Sequence, residues 1–353
     1  MEAENPWMKA FPFNSRNLLI RPTFEQISLK GDLSEFVQEY VKKTGINFNS
    51  WVPFVNSVDF GKTHVTLHTG AIDYKSVKGL TQAFVEKVAF APQIGFNPAL
   101  SVGFITKTND GKIILQRRPE GVHCPNAIIS EPCGYMSSGY INPKPVNPDD
   151  PVVILNPRLY DVQAQLNTRR KEVASTFGVS LDLVRYNHIQ DFLGCGWRTV
   201  ETYLSTTGRI NTTEDELKDS RSKMIDEIEK CGQQEVEQGK GFAKVKKAEK
   251  MRGAEFYFVP SSNLRDLLYN QSSLLKVSLE GYRPERVEEM PLLDETFLGI
   301  MYGYKRLTGE SLDVKDLAGK MRTSGLDFQI CDTSPGTRYD FFNIGATFVK
   351  INK

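Results

Sequence analysis

Apolar positions recur along this chain at two spacings, one helical and one alternating, and each marks an element. Leu33, Phe36, Val37, Tyr40 and Val41 follow the helical spacing, and Gly45 closes the run. Before them, Leu18 to Ile20 is a short apolar run that Pro22 is expected to end. Val65 and Leu67 alternate with His64, Thr66 and His68, which predicts a strand with both histidines on one face. Two histidines are part of a metal set, but no third ligand stands nearby, so hydrogen-bonded side chains are the plainer reading. The clearest local structure is SVGFITKTNDGKIILQRR. Two β-rich runs flank Asn109-Asp110-Gly111, a hairpin signal because Gly supplies the positive φ of a tight turn. Val102, Phe104, Ile113 and Leu115 are the expected buried face of that hairpin.

Residues 141–157 carry five prolines and so cannot be one uninterrupted helix. Val162, Leu166, Val173 and Phe177 then return to helical spacing, and Gly178 stands where a C-cap is expected. WRTVETYLS reads as a strand. Thr213 to Glu216 is a capping-box pattern that opens a charged amphipathic helix through Leu217, Met224, Ile225 and Ile228. Charge stays dense to Arg252, which marks a solvated insertion or a partner-binding helix. Phe256 to Val259 predicts a strand, SSNLRDLLY a short helix, and Glu295 to Leu307 a last helix. No internal repeat or low-complexity run interrupts the pattern.

At 353 residues the chain suits two units, or one large domain with insertions. Apolar residues make up 40% and charged residues 25%, enough apolar surface for a sizeable core. A net charge of +1 gives no footprint for a nucleic-acid duplex and no polybasic membrane patch. No stretch reaches the roughly 18 apolar residues of a membrane span, and the first residues lack the pattern of a signal peptide. The five cysteines (Cys124, Cys133, Cys195, Cys231 and Cys331) form no CxxC pair, which fits reduced thiols and a cytoplasmic location.

Three pieces with chemical content stand in order. The hairpin ends in Arg117-Arg118. A loop, Glu131-Pro132-Cys133-Gly134-Tyr135, follows. A helix then reads Arg170-Lys171-Glu172-Val173-Ala174-Ser175-Thr176-Phe177-Gly178-Val179. This resembles the Nudix hydrolase pattern, in which a Gly-containing loop leads to a helix written REUxEExGU, with U apolar. Lys171, Glu172, Val173, Gly178 and Val179 take the matching positions. The segment Thr69 to Leu80 and the ILQRR ending are similar to the UDP-sugar diphosphatase branch, and the resemblance covers about residues 60 to 270.

What the resemblance implies is an α/β fold, a Nudix-type α/β/α sandwich with a mixed sheet preceded by a smaller α/β region. The expected division is 1–98, then a Nudix-like domain over 99–275 with insertions at 141–157 and 211–252, then a C-terminal helical extension over 276–353. The family's helix sets carboxylates three and four apart, so that they share one face and hold Mg²⁺ against a diphosphate. Here the two adjacent glutamates fall on Ser175 and Thr176, and the upstream glutamate falls near Gln163. Only Glu172 remains as metal ligand and catalytic residue. Arg117, Arg118, Gly134 and Tyr135 are the expected substrate-binding residues, although neighbours on a strand point to opposite faces. Asp161, Asp182, Asp191 and Glu201 are candidate replacement acids, and His188 a candidate general base. Tyr135 or Trp197 is placed to stack on a base. His123-Cys124 is a weak candidate nucleophile pair, because sequence neighbours rarely face each other.

Three readings stay open. The chain binds a nucleotide or nucleoside-diphosphate derivative with weak or absent hydrolysis; or it is an Mg²⁺-dependent nucleoside-diphosphate-sugar diphosphatase with relocated ligands; or it is an interaction scaffold whose insertion, 213–252, meets a protein partner.

Overall fold

The computed structural model describes residues 8–13, 17–26, 31–46, 51–85, 99–119, 127–130, 133–135, 162–190, 192–196, 201–236, 241–277, 292–323, 328–341 and 349–352. Two mixed sheets and, among the described residues, eight α-helices make a mixed α/β fold.

The larger sheet grows outward from the predicted hairpin. Strands β5 (Leu100–Lys107) and β6 (Lys112–Arg117) flank the turn, where Gly111 takes the left-handed φ of 82°. Beyond β6 lies β12 (Phe256–Pro260). Beyond β5 lie β11 (Glu201–Ile210), β10 (Phe192–Gly196), β1 (Met8–Pro12) and β13 (Phe328–Ile330). Three short strands pair at the side: β7 (Ile128–Ser130) on β6, β8 (Cys133–Tyr135) on β5, and β9 (Val184–Tyr186) on β11. The smaller sheet runs β15 (Val349–Asn352), β14 (Thr337–Asp340), β3 (Trp51–Phe60), β4 (His64–Asp73), β2 (Asn17–Gln26). Both sheets therefore draw strands from distant parts of the chain: β1 sits between β10 and β13, and β14 pairs with β3.

Pro22 does not end β2. The strand continues to Gln26 through a register shift after Pro22. The reason is position: β2 is an edge strand, where a missing N–H interrupts no ladder on its open side. The C-terminal segment also differs from the expected helical extension. It holds α7 (Asp294–Thr308) and α8 (Val314–Thr323), but also β13, β14 and β15. Strands of three or four residues are too short to show a period in sequence.

The larger sheet is covered on both faces. On one, α3 (Val162–Phe177) and the smaller sheet meet it in a single core, where Phe104 packs with Phe11, Phe60, Leu67, Leu166 and Phe177. On the other, Ile105, Ile113 and Leu115 pack with α6 (Leu264–Val277), α7 and α8. The hairpin thus buries both faces. Val102 and Phe104 turn to one core and Ile113 and Leu115 to the other, rather than all four sharing a face. Helix α7 lies close on the sheet because its contact residues are glycines. A Cβ on Gly299 would stand 2.9 Å from Ile105 Cδ1, and one on Gly303 would stand 2.7 Å from Thr207 Cγ2.

The charged insertion is docked rather than free. Helix α4 (Glu214–Val236) opens with the predicted capping box: Thr213 N–H donates to Glu216 Oε2 at 2.8 Å, and Glu216 N–H donates to Thr213 Oγ1 at 3.4 Å. Its first turns lean on the end of α3, where Ser220 Oγ donates to the Gly178 carbonyl at 2.7 Å and Arg221 donates to the Thr176 carbonyl. Helix α5 (Phe242–Arg252) folds back on α4 beside Gly232. Helices α1 (Gly31–Thr44) and α2 (Tyr74–Val85) pack together beside the smaller sheet, Val37 against Gly79. No described helix is long and apolar enough to cross a membrane.

Candidate functional site

Helix α3 carries the residues that resemble a metal-binding helix, and its apolar stripe decides which way they point. Val162, Leu166, Val173 and Phe177 are buried against β5 and the smaller sheet. Glu172, Ser175 and Thr176 consequently lie away from the core. Glu172 is not left open for a cation. Arg169 Nη1, one turn earlier, donates to Glu172 Oε1 at 2.8 Å and to Oε2 at 2.7 Å. Ser175 Oγ turns back on the Glu172 backbone carbonyl at 2.9 Å, a local bond that suits a helical serine. Arg170 ties α3 to the following strand, donating to the carbonyls of Val184 at 2.5 Å and Leu181 at 2.8 Å. Gly178 has the φ of 64° expected of the residue after a helix end.

The start of α3 is fastened in the same way. Gln163 Nε2 donates to the His188 carbonyl at 2.9 Å, and Gln163 Oε1 lies 2.6 Å from His188 Nδ1. The position aligned with an acidic ligand and the candidate general base are thus each other's partners. The His188 ring also meets the edge of Tyr186 at 5.0 Å. Asp182 is exposed, 3.9 Å from Arg170. Asp161, Asp191, His123, Cys124, Glu131 and Trp197 lie outside the described residues. Glu201 starts β11 opposite Gly196.

The two arginines of the hairpin separate as strand geometry requires. Arg117 pairs with Glu255 at 3.2 Å. Burial pulls its guanidinium down, and the hydrogen bond and charge of Glu255 outweigh that and hold it above its ordinary value. Arg118 anchors by its backbone N–H to the Ala127 carbonyl at 2.9 Å, while its side-chain Nε is buried with no partner among the described residues. Gly134 and Tyr135 stand in β8, opposite Val102 and Ser101 at the start of β5. The structure thus places Arg118 just past the end of β6 and Gly134 and Tyr135 on β8, strands that both adjoin β5, with α3 packed over β5. No protein-family model and no curated protein matches this sequence.

No three of His, Cys, Asp and Glu converge among the described residues, and the one acid kept on α3 has both oxygens taken by Arg169. At the other end of α3, a cleft of about 290 Å³ is lined by Phe177, Phe256 and Phe258 together with α4. Arg221 lies over the Phe256 ring at 4.7 Å and Lys218 over Phe258 at 5.4 Å. Burial pulls the Arg221 guanidinium below its ordinary value. Sequence reasoning missed this cleft, since its aromatic residues come from α3 and β12 and its cations from the insertion.

Proposed function

We propose that this protein binds a nucleotide or nucleoside-diphosphate derivative through its phosphates, at the face formed by the end of β6, β8 and α3, without efficient hydrolysis. The observation that carries the proposal is the guanidinium of Arg118, whose buried Nε has no partner among the described residues. Leaving such a donor unsatisfied costs about 1–3 kcal/mol, which a phosphate oxygen would recover. The glycine at position 134, on β8 where it pairs with β5, suits a close approach of ligand to backbone. Hydrolysis of the Nudix type needs several carboxylates around a cation. Here Ser175, Thr176 and Gln163 are neutral, and Glu172 is closed by Arg169.

The test is thermal shift and calorimetry with UDP-glucose, UDP and uridine, in Mg²⁺ and in chelator, with UMP release followed in parallel. UDP-glucose and UDP should stabilise the protein equally with and without metal. Uridine should not, Arg118→Ala should abolish the effect, and no UMP should form. Failure of any nucleotide to bind would overturn the proposal. Metal-dependent UMP release that disappears in Glu172→Gln would replace it with the hydrolase reading.

A further inference from the structure

Strand β12 ends the larger sheet among the described residues, and its main chain is paired on one side only. Its ladder with β6 is fixed at both ends. Arg117 N–H donates to the Glu255 carbonyl at 3.0 Å, and Ser261 N–H donates to the Gly111 carbonyl at 3.0 Å. Bonded residues alternate along an antiparallel pair. Tyr257 and Val259 therefore turn their N–H and C=O groups to Leu115 and Ile113 on β6. Phe256 and Phe258 turn theirs outward, and no other described residue hydrogen-bonds to those groups.

The same two residues build the cleft of about 290 Å³ at the end of α3. Side chains two apart on a strand share a face. The rings of Phe256 and Phe258 accordingly both meet Phe177, at 5.1 and 6.4 Å. The facing wall is α4, through Ser222 and Ile225. This helix runs antiparallel to β12, with Lys218 over Phe258 and Arg221 over Phe256. An edge strand and a helix thus border one groove. Lys218 and Arg252 on its rim are paired, the first with Glu214 and the second with Asp226 and Glu229. Arg221 is different. Its guanidinium donates to the carbonyls of Thr176 and Met251, and no carboxylate among the described residues pairs with it. Burial alone lowers it, with no acid opposing the loss of water.

We infer that this groove takes an extended peptide of a protein partner, added as a strand to the edge of β12, with one apolar side chain in the cleft and an acidic side chain at Arg221. Alternate main-chain donors and acceptors on an open edge are what strand addition uses, and a pocket beside them reads alternate side chains of the added strand. The cleft is smaller than the roughly 300–1,000 Å³ of sites that enclose a small molecule, which suits a single side chain. A second copy of the chain could offer the same edge. The segment Phe256–Pro260 carries no acid, however, so edge-to-edge pairing would leave Arg221 unmet.

The test starts from a random octapeptide library displayed on phage and selected on the full chain. Sequences with an apolar residue and a nearby Asp or Glu should be enriched, and the most enriched one, made synthetically, should bind saturably in calorimetry. N-methylation of one alternate set of its amides should lower affinity at least tenfold, and methylation of the other set far less, because an added strand bonds to the edge through alternate residues. Ser222 is exposed on α4, so Ser222→Trp should fill the groove and cut affinity at least tenfold while leaving the thermal midpoint unchanged. Arg118→Ala should leave peptide affinity unchanged, which keeps this groove apart from the proposed nucleotide face. No enriched peptide, equal effects of the two methylated sets, or binding that survives Ser222→Trp would overturn the inference. So would peptide binding lost in Arg118→Ala, or self-association of the chain that Ser222→Trp releases, which would give the edge to a second copy.

Discussion

Glu172 shows how a single neighbour changes what a retained residue can do. Its position in the helix matches a metal ligand, but Arg169 one turn earlier takes both oxygens. The pair is partly exposed, so it stabilises the fold by no more than about 1 kcal/mol. Glu172→Gln should therefore shift the urea midpoint only slightly and leave UDP-glucose affinity unchanged. A large loss of affinity would show that the carboxylate contacts ligand or a bound cation. The opposite arrangement holds at Arg185 and Arg209, where no carboxylate among the described residues pairs with either side chain. Arg185→Glu should raise stability by about 0.2–1 kcal/mol, read as a higher thermal midpoint. Neither feature was legible in the sequence. Arg169 is visible beside Glu172, but a helix pattern does not say which side chains close on each other. Lys107, Arg185 and Arg209 are brought together only by strand pairing over long separations. The separation of Arg117 from Arg118, by contrast, followed from the alternation of a strand.

Helix α4 was the most legible element, because its start is written locally. Thr213 and Glu216 make the capping box that their spacing announces, and Thr212 adds a third donor to the same carboxylate at 2.8 Å. Thr213→Ala should cost about 1 kcal/mol of stability in denaturant titration. Bonds from the Thr213 N–H and the Thr212 and Thr213 hydroxyls hold the Glu216 carboxyl below its ordinary value. Burial pushes the Glu214 carboxyl up, but its bonds to Lys112 and Lys218 outweigh that and hold it low. Folded values below unfolded ones mean that this stabilisation is complete above the unfolded carboxylate range, near the ordinary value of 4.5, and is lost as pH falls through the lower folded values. Unfolding midpoints should accordingly fall from pH 5 to pH 3, and fall less in Glu216→Gln. An unchanged slope in that variant would contradict the assignment. Helix α7 was legible as a helix but not as the cover of the sheet. Its close approach depends on Gly299 and Gly303, whose role appears only when Ile105 and Thr207 face them. Gly299→Val should cost about 1–3 kcal/mol through overpacking.

For the molecule as a whole, the α/β class and the hairpin at its centre could be read from periodicity, and the order of the strands could not. β1 is a five-residue strand with a buried lysine at its second position, so no clean alternation marks it. It nevertheless lies between β10 and β13, and Phe11 joins the core shared by both sheets, 4.9 Å from the Tyr339 ring. Removing residues 1–13 should therefore abolish cooperative unfolding of the entire chain, as seen by calorimetry, rather than trim an end. The same architecture covers the larger sheet on two faces, one beside α3 and one beside α7. The nucleotide face proposed beside α3 is the central claim, and it is tested most directly by calorimetric titration of UDP-glucose in chelator, with UMP release followed in Mg²⁺. The account predicts saturable binding without metal, lost in Arg118→Ala, and no UMP. Binding that requires Mg²⁺ and ends in UMP would contradict it.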